Sequence, residues 1–347
     1  MKNIQMVDLV TQYEGIKDEI DHRMQQVLNS AAFINGPEVK NFQKELEEYL
    51  GVKHVIPCAN GTDALQIALM GLYLQPGDEV MTVDFTFAAT VEVIGLMKLK
   101  PVLVDVYPGT FNIDIDQLKR KITPKTKAIV PVHLFGQCAN MDAILEISRE
   151  FGIPVVEDTA QSIGAKYRSV DGQEYMAGTM GDYGTTSFFP SKNLGCYGDG
   201  GAIFTNDDRL AENARSIANH GMRRRYYYDE IGINSRLDSL QAAVLSVKLK
   251  KLNAYCDARR KVADYYDEAF KDIPQLETPE RSDFTTHVFH QYTLKTSGLD
   301  RNGLQQHLAE NNIPAMIYYP MPLHIQEAYA SYGFDDADFE VTNDLCK

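Results

Sequence analysis

Cysteine is scarce in this sequence, long apolar runs are absent, and positive charge is in deficit. The five cysteines, Cys58, Cys138, Cys196, Cys256 and Cys346, are odd in number and widely spaced, with no C-x-x-C pair. That removes the usual zinc and dithiol motifs and predicts buried free thiols. Nowhere do 18 apolar residues run together, and MKNIQMVDLVTQYEGIKDEI at the N-terminus has no apolar signal core. Neither a membrane span nor a leader is expected, and the expected compartment is a reducing cytoplasm. Thirty-four Lys and Arg stand against 48 Asp and Glu, a net charge of −14. Such a field repels polyanions, which argues against nucleic acid and membrane partners and requires any anionic ligand to be held by local groups. There is no repeat of fixed period and no linker of biased composition.

What is present is enough to bury a large core: 347 residues, 44% of them hydrophobic and 24% charged. At about 150 residues per domain this length predicts roughly two domains. From about residue 50 to 205, short apolar runs alternate with helical-period stretches. This rhythm belongs to an α/β fold with a mainly parallel sheet sandwiched by helices. The expected strands are His54–Pro57, Glu79–Thr82, Pro101–Val104, Ala128–Val132, Pro154–Glu157, Thr185–Phe189 and Ala202–Thr205. A helix is expected over Thr62–Leu74, opening at Gly61 behind an Asn60 cap. Before this block, Gln12–Asn29 and Glu38–Leu50 read as amphipathic helices of an N-terminal arm, separated by the turn Asn35-Gly36-Pro37. After Ser235 a long helical stretch runs to about Ala269, and Phe339–Lys347 reads as a further helix. The expected division is an arm and large domain over 1–245 and a smaller α+β domain over 246–347.

Three features of the central block carry chemistry. Cys58-Ala-Asn-Gly-Thr-Asp-Ala follows a strand and opens a helix, so the N–H groups of Gly61 and Thr62 can face an anion with the help of the helix dipole, although a plain turn would read the same way. Val155-Val156-Glu157-Asp158 places an acid at the carboxyl end of a buried strand, where open α/β sheets bind ligands and where an Asp can also cap the next helix. Ser187-Phe-Phe-Pro-Ser-Lys192 follows another strand and leads into the glycine-rich run Gly195–Gly201, which can hold a lysine inside a cleft, while most lysines are solvated. Together the three describe a site for a phosphate-bearing pyridine cofactor.

In these motifs the sequence resembles the fold-type-I, pyridoxal 5'-phosphate (PLP)-dependent nucleotide-sugar aminotransferases of the DegT group, from Asp8 to about Gln326. The resemblance is carried by Asn60-Gly-Thr-Asp63, Phe85-Thr-Phe87, Glu157-Asp158 with Gln161, Ser187-Phe-Phe-Pro-Ser-Lys192, Gly198-Asp-Gly-Gly201, Asn234-Ser-Arg236-Leu-Asp238 and Tyr319-Pro-Met-Pro-Leu-His324. It implies that Lys192 holds PLP covalently through its amine and later shuttles the proton. It implies that Asp158 pairs with the pyridine nitrogen and keeps it protonated. Phe87 then stacks on the ring, Gln161 lies near the ring hydroxyl, and Gly61, Thr62 and Ser187 form the phosphate cup. Asn234 reaches the cofactor phosphate of a neighbouring subunit, which makes a homodimer with shared sites the functional unit. The implied reaction takes an amino group from glutamate and gives it to a keto sugar on a nucleotide.

The stretch Ser187–Asn206 is especially similar to enzymes that aminate C3 of UDP-2-acetamido-2-deoxy-3-oxo-glucuronate for bacterial surface polysaccharides, including lipopolysaccharide. Arg236 is a candidate for the uronate carboxylate, and Tyr318, Tyr319, His324 and Glu38 are further candidates for sugar contact. Two departures stand out. Tyr318-Tyr319-Pro320 replaces the His-Tyr-Pro of that subgroup, and the sequence ends at Lys347, before the final strand and helix usual in the family, so the small domain is expected to be cut short. C4 amination of a 4-keto-6-deoxy nucleotide sugar, and a catalytically idle PLP-binding regulator, stay open as alternatives.

Overall fold

The computed structural model describes residues 4–347. An N-terminal arm of three helices, α1 (Leu9–Glu14), α2 (Lys17–Ser30) and α3 (Pro37–Leu50), precedes β1 (His54–Cys58) and α4 (Gly61–Gly71). The central block continues through β2 (Glu79–Val83), α5 (Ala89–Leu96), β3 (Lys100–Val104), α6 (Ile115–Arg120), β4 (Thr126–Val130), α7 (Met141–Phe151) and β5 (Val156–Asp158). A short ribbon of β6 (Lys166–Arg168) and β7 (Glu174–Met176) leads to β8 (Tyr183–Ser187), β9 (Gly201–Thr205) and α8 (Asp208–Ala218). There follow a hairpin of β10 (Met222–Arg224) and β11 (Tyr227–Tyr228), then α9 (Ser239–Leu249) and α10 (Leu252–Phe270). The remainder holds the short pair β12 (Leu276–Glu277) and β13 (Lys295–Thr296), α11 (Arg301–Glu310) and α12 (Glu340–Leu345).

Two ladders, β3-β2-β4 and β1-β9-β8-β5, are joined by parallel bridges Ile129–Val155 and Val132–Asp158. The result is one sheet in the order β3-β2-β4-β5-β8-β9-β1, parallel except for β9, which runs antiparallel to both neighbours. Side-chain alternation divides the strands between two apolar layers. Val55, Met81, Ile129, Val155 and Phe204 face one, while Ile56, Val80, Val130, Val156 and Ile203 face the other. A sheet buried on both faces explains why its strands read as near-continuous apolar runs. All seven expected strands lie in this sheet.

The helices differ from expectation at their joints. Gln12–Asn29 is broken at Gly15, where the backbone N–H caps Thr11 and Tyr13 carbonyls and α1 ends before α2 begins. The stretch to Ala269 turns at Lys250–Lys251. Residue 245 falls inside α9, which packs on α2 and α3. The Ser239 hydroxyl accepts from Gly36 N at 3.2 Å, pinning the arm to α9. All five cysteines are buried and unpaired. Among the described residues no helix is long and apolar enough to cross a membrane.

The C-terminal segment is lashed across the carboxyl ends of β2 and β3. Asp84, just after β2, accepts from His324 N at 2.8 Å, and Asp105, just after β3, accepts from Val341 N and Thr342 N at 2.9 Å and from the Thr342 hydroxyl at 2.7 Å.

Candidate active site

The site forms where β5, β8 and the start of α4 meet, outside the carboxyl ends of the parallel strands. Asp158 closes β5 and is buried. Its Oδ2 accepts from the Thr90 hydroxyl at 2.8 Å and its Oδ1 from Ala160 N at 3.0 Å, so two neutral donors aim the carboxylate without neutralising it. Behind it, Glu157 faces the other way with no exposure. It accepts from Gly178, Met180 and Gly181 N–H groups at 2.6–3.0 Å and pairs with His133 Nε2 at 2.8 Å. Because His133 Nδ1 accepts from Ala139 N, the ring's proton sits on Nε2 and points at Glu157. This buried pair anchors β5 beneath the site.

Lys192 stands in a loop that leaves β8 and folds back on itself. Its N–H donates to Phe189 O at 2.8 Å, and Cys196 N donates to Phe188 O at 2.8 Å. The fold-back brings the chain so close that a Cβ at Gly195 would lie 2.3 Å from the Pro190 carbonyl oxygen. Burial pushes the Lys192 amine down to about 8, against the pull of the Asp158 carboxylate, which raises it. An amine held there is partly neutral near physiological pH, as a nucleophile or proton carrier needs.

At the start of α4 the Asn60 side chain accepts from Asp63 N at 2.8 Å, leaving the N–H groups of Gly61 and Thr62 for another acceptor. Gly61 lies against Ser187: a Cβ there would stand 2.6 Å from the Ser187 Cβ. Only glycine lets the helix start and the strand end share one cradle. Gln161 is buried, its Oε1 accepting from Phe135 N at 2.7 Å and its amide 3.5 Å from the Tyr319 hydroxyl. Phe87 is 61% exposed, an unusual state for a Phe three residues from the buried Thr90. Tyr319 packs among Phe85, Phe135 and Tyr318. Burial raises its hydroxyl's pKa, so it stays protonated.

Asn234 and Arg236 are brought together. The Arg236 guanidinium donates to the Asn234 side-chain oxygen and, at 3.2 Å, to Asn219. Between them Ser235 accepts from Ala59 N at 3.0 Å, which sets the pair beside the loop that opens α4. Two expected sugar contacts are engaged by partners within the chain. His324 is buried with Nδ1 2.6 Å from Asp84 and Nε2 2.9 Å from Asp336, and it stacks on Phe339. Both ring nitrogens are committed, so the residue is a latch for the C-terminal segment and has none left for a sugar. Glu38 pairs with Arg23 at 2.9 Å and lines a cavity of about 330 Å3 with Gln26, Ser30 and Pro37. Sequence reasoning passed over Thr90, whose signal is a hydroxyl in the first turn of an apolar helix. It also passed over His290, whose signal is the spacing in His287-Val-Phe-His290.

Residues 14–347 match the DegT/DnrJ/EryC1/StrS aminotransferase family. The UDP-2-acetamido-2-deoxy-3-oxo-D-glucuronate aminotransferase of Pseudomonas aeruginosa is 47% identical over 94% of this chain and 89% of that protein. The pleiotropic regulatory protein of Geobacillus stearothermophilus is also 47% identical, over 96% and 88%. The crystal structure of NtdA from Bacillus subtilis with bound cofactor PMP superposes with a TM-score of 0.89 at 30% identity, covering 100% of this chain and 79% of that one. The chain thus belongs to the DegT/DnrJ/EryC1/StrS aminotransferase family, a family of PLP-dependent enzymes.

Proposed function

We propose that this aminotransferase moves an amino group from glutamate to a keto sugar carried on a nucleotide, with C3 of UDP-2-acetamido-2-deoxy-3-oxo-glucuronate as the acceptor. The observation that carries the reading is the nearness of Lys192 and Asp158, the lysine amine depressed by burial yet within the field of a carboxylate that Thr90 aims. The likeness to the Pseudomonas enzyme supports the choice of sugar.

The residues present fit PLP. The cradle between Gly61 and Ser187, with the free N–H groups of α4 and the Thr62 and Ser187 hydroxyls, suits a phosphate dianion. Asp158 suits a protonated pyridine nitrogen, Gln161 the ring hydroxyl, and the exposed Phe87 ring a face to stack on. When bound, PLP supplies an electron sink and an amino-group carrier. The protein's part is to hold its reactive carbon beside Lys192. There the Lys192 amine, near half-protonated around pH 8, would accept the proton of the donor's α-carbon and hold it for return. Thr90 and Ala160 hold the Asp158 carboxylate in place, and the buried Glu157–His133 pair keeps the strand end from shifting. Asn234 is assigned to the phosphate of a neighbouring subunit's site, which makes the working unit a homodimer. Arg236, Tyr318 and Tyr319 are assigned to the sugar. The five unpaired thiols suit a cytoplasmic enzyme.

The Geobacillus relative's name keeps a regulatory reading in play, and retention of Lys192 and Asp158 favours catalysis. The test is the absorbance of protein loaded with PLP, before and after glutamate, followed by the 3-oxo uronate sugar nucleotide. Loss of the cofactor's long-wavelength band with glutamate and its return with the 3-oxo sugar supports the assignment. Return only with 4-keto-6-deoxy sugars moves the amination to C4, and no response to glutamate supports the regulator.

A further inference from the structure

We propose that His290 is a positioning residue for Lys192: its imidazole offers a neutral resting partner to the lysine amine whenever that amine is not bonded to the cofactor. This rests on the PLP reading above. Residues 287–291 form a strap between the two loops that hold the site. On one side Val288 N donates to Gly136 O at 2.9 Å and Gln291 N to Phe135 O at 3.4 Å, and the N–H of Phe135 holds Gln161. The approach is close enough that a Cβ at Gly136 would stand 2.9 Å from Phe289 N and 3.0 Å from His290 N. On the other side Asn193, next to Lys192, donates to Val288 O at 3.1 Å. Arg259 of α10 clamps the strap from below, donating to Phe289 O at 3.0 Å and His290 O at 3.2 Å. His290 is thereby fixed in the backbone on every side.

Its ring is fixed far less. His290 Nδ1 is buried without a hydrogen-bond partner, and so is the side-chain oxygen of Asn193. The Lys192 amine likewise makes no hydrogen bond to the described residues, and the Asn193–Val288 bond sets its loop against the strap, so an unused donor and an unused acceptor lie on adjoining segments. Burial, then the charges of Lys192 and Arg259, hold the ring well below the usual imidazole range and therefore neutral. A neutral ring is an acceptor that does not repel an ammonium. Over a full cycle the Lys192 amine would be released in the donor half-reaction and would rejoin the cofactor only at the end of the acceptor half-reaction, staying free to carry a proton in between. A fixed acceptor keeps the amine within reach in between, and removing it slows proton transfer more than it weakens binding. The charged groups that act on this pair are Asp158 at the end of β5 and Arg259 of α10.

The test compares the parent holoenzyme with His290→Phe, which keeps the ring's bulk and removes both nitrogens, and His290→Gln, which restores a polar group. Three quantities are read: the pH midpoint of the cofactor's absorbance, the single-turnover rate with glutamate and its solvent isotope effect, and the KM for glutamate. The expected result is a rate lower by about tenfold or more in His290→Phe, with KM within about twofold, a shifted pH midpoint, and partial rescue by Gln. An unchanged rate and midpoint in His290→Phe overturn the proposal. So does a slow variant whose midpoint is unmoved and which Gln does not rescue, since that marks a packing role. Should Phe fail to fold, parent-like behaviour of His290→Gln together with a parent-like soluble His290→Ala overturns it as well. A parent protein that ignores glutamate overturns the functional reading itself.

Discussion

Lys192, half-buried, and Lys248, fully buried, both have amines pushed down to about 8 by desolvation, yet they occupy opposite situations. Lys192 feels the Asp158 carboxylate and is not fully enclosed. Lys248, on α9, is 2% exposed, has no hydrogen-bond partner, and rests 4.4 Å over the Tyr197 ring. For Lys192→Ala the expected outcome is loss of transamination by about a thousandfold or more, measured as single turnover, with the circular dichroism of the parent. For Lys248→Met the expected outcome is a more stable protein. The sign follows from linkage. The amine binds its proton more weakly folded than unfolded, so folding carries a penalty below pH 8 that fades as pH rises from about 8 toward 10.5. Removing the amine gains about 1 to 3 kcal/mol at pH 7, less the lost contact with Tyr197, and the gain shrinks toward pH 10. Thermal midpoints at pH 7 and pH 10 check it. A midpoint that falls at pH 7 shows that the ring contact outweighs the desolvation.

At the scale of elements, the central joint is α4 against the end of β8. Gly61→Ala pushes a methyl group to 2.6 Å from the Ser187 Cβ. The helix start must back away, at a cost of about 1 to 3 kcal/mol. The same shift withdraws the N–H groups that suit the phosphate, so the expected result is at least tenfold weaker PLP uptake, read by titration of absorbance, with only a small drop in thermal midpoint. The cap and the N–H groups of this joint were legible in Asn60-Gly-Thr-Asp after an apolar run, whereas the close approach of Gly61 to Ser187 was not, because it depends on a strand far away in sequence. The seven strands were legible for a related reason. A sheet buried on both faces leaves runs such as Val80-Met81-Thr82-Val83 with no polar face. The direction of β9 was not legible, since pairing direction is set by the loop from Ser187 to Gly201 doubling back, which leaves no periodic trace. Nor were the roles of His324 and His290, which depend on partners 240 residues away in sequence in the first case and on a backbone strap in the second.

At the scale of the whole molecule, the question is whether one chain contains a complete site. Phe87 and Phe189 are exposed on the loops that carry the site, and the Asn234–Arg236 pair stands on the surface next to the loop that opens α4. Such a rim is open to completion by a second copy. If Asn234 serves the neighbouring subunit, two inactive proteins will repair each other. A dimer of Lys192→Ala lacks the amine in both sites, and a dimer of Asn234→Ala lacks the phosphate contact in both. In a mixed dimer one site draws its lysine from the Asn234→Ala subunit and its asparagine from the Lys192→Ala subunit, and is whole; the other lacks both. Random exchange makes about half the dimers mixed, each with one whole site in two, so the mixture should recover about a quarter of the parent activity. Recovery should develop at the rate of subunit exchange and vanish if the two proteins are cross-linked before mixing. If Asn234 acts within its own chain, the mixed dimer contains no whole site and activity stays at the level of the separate variants.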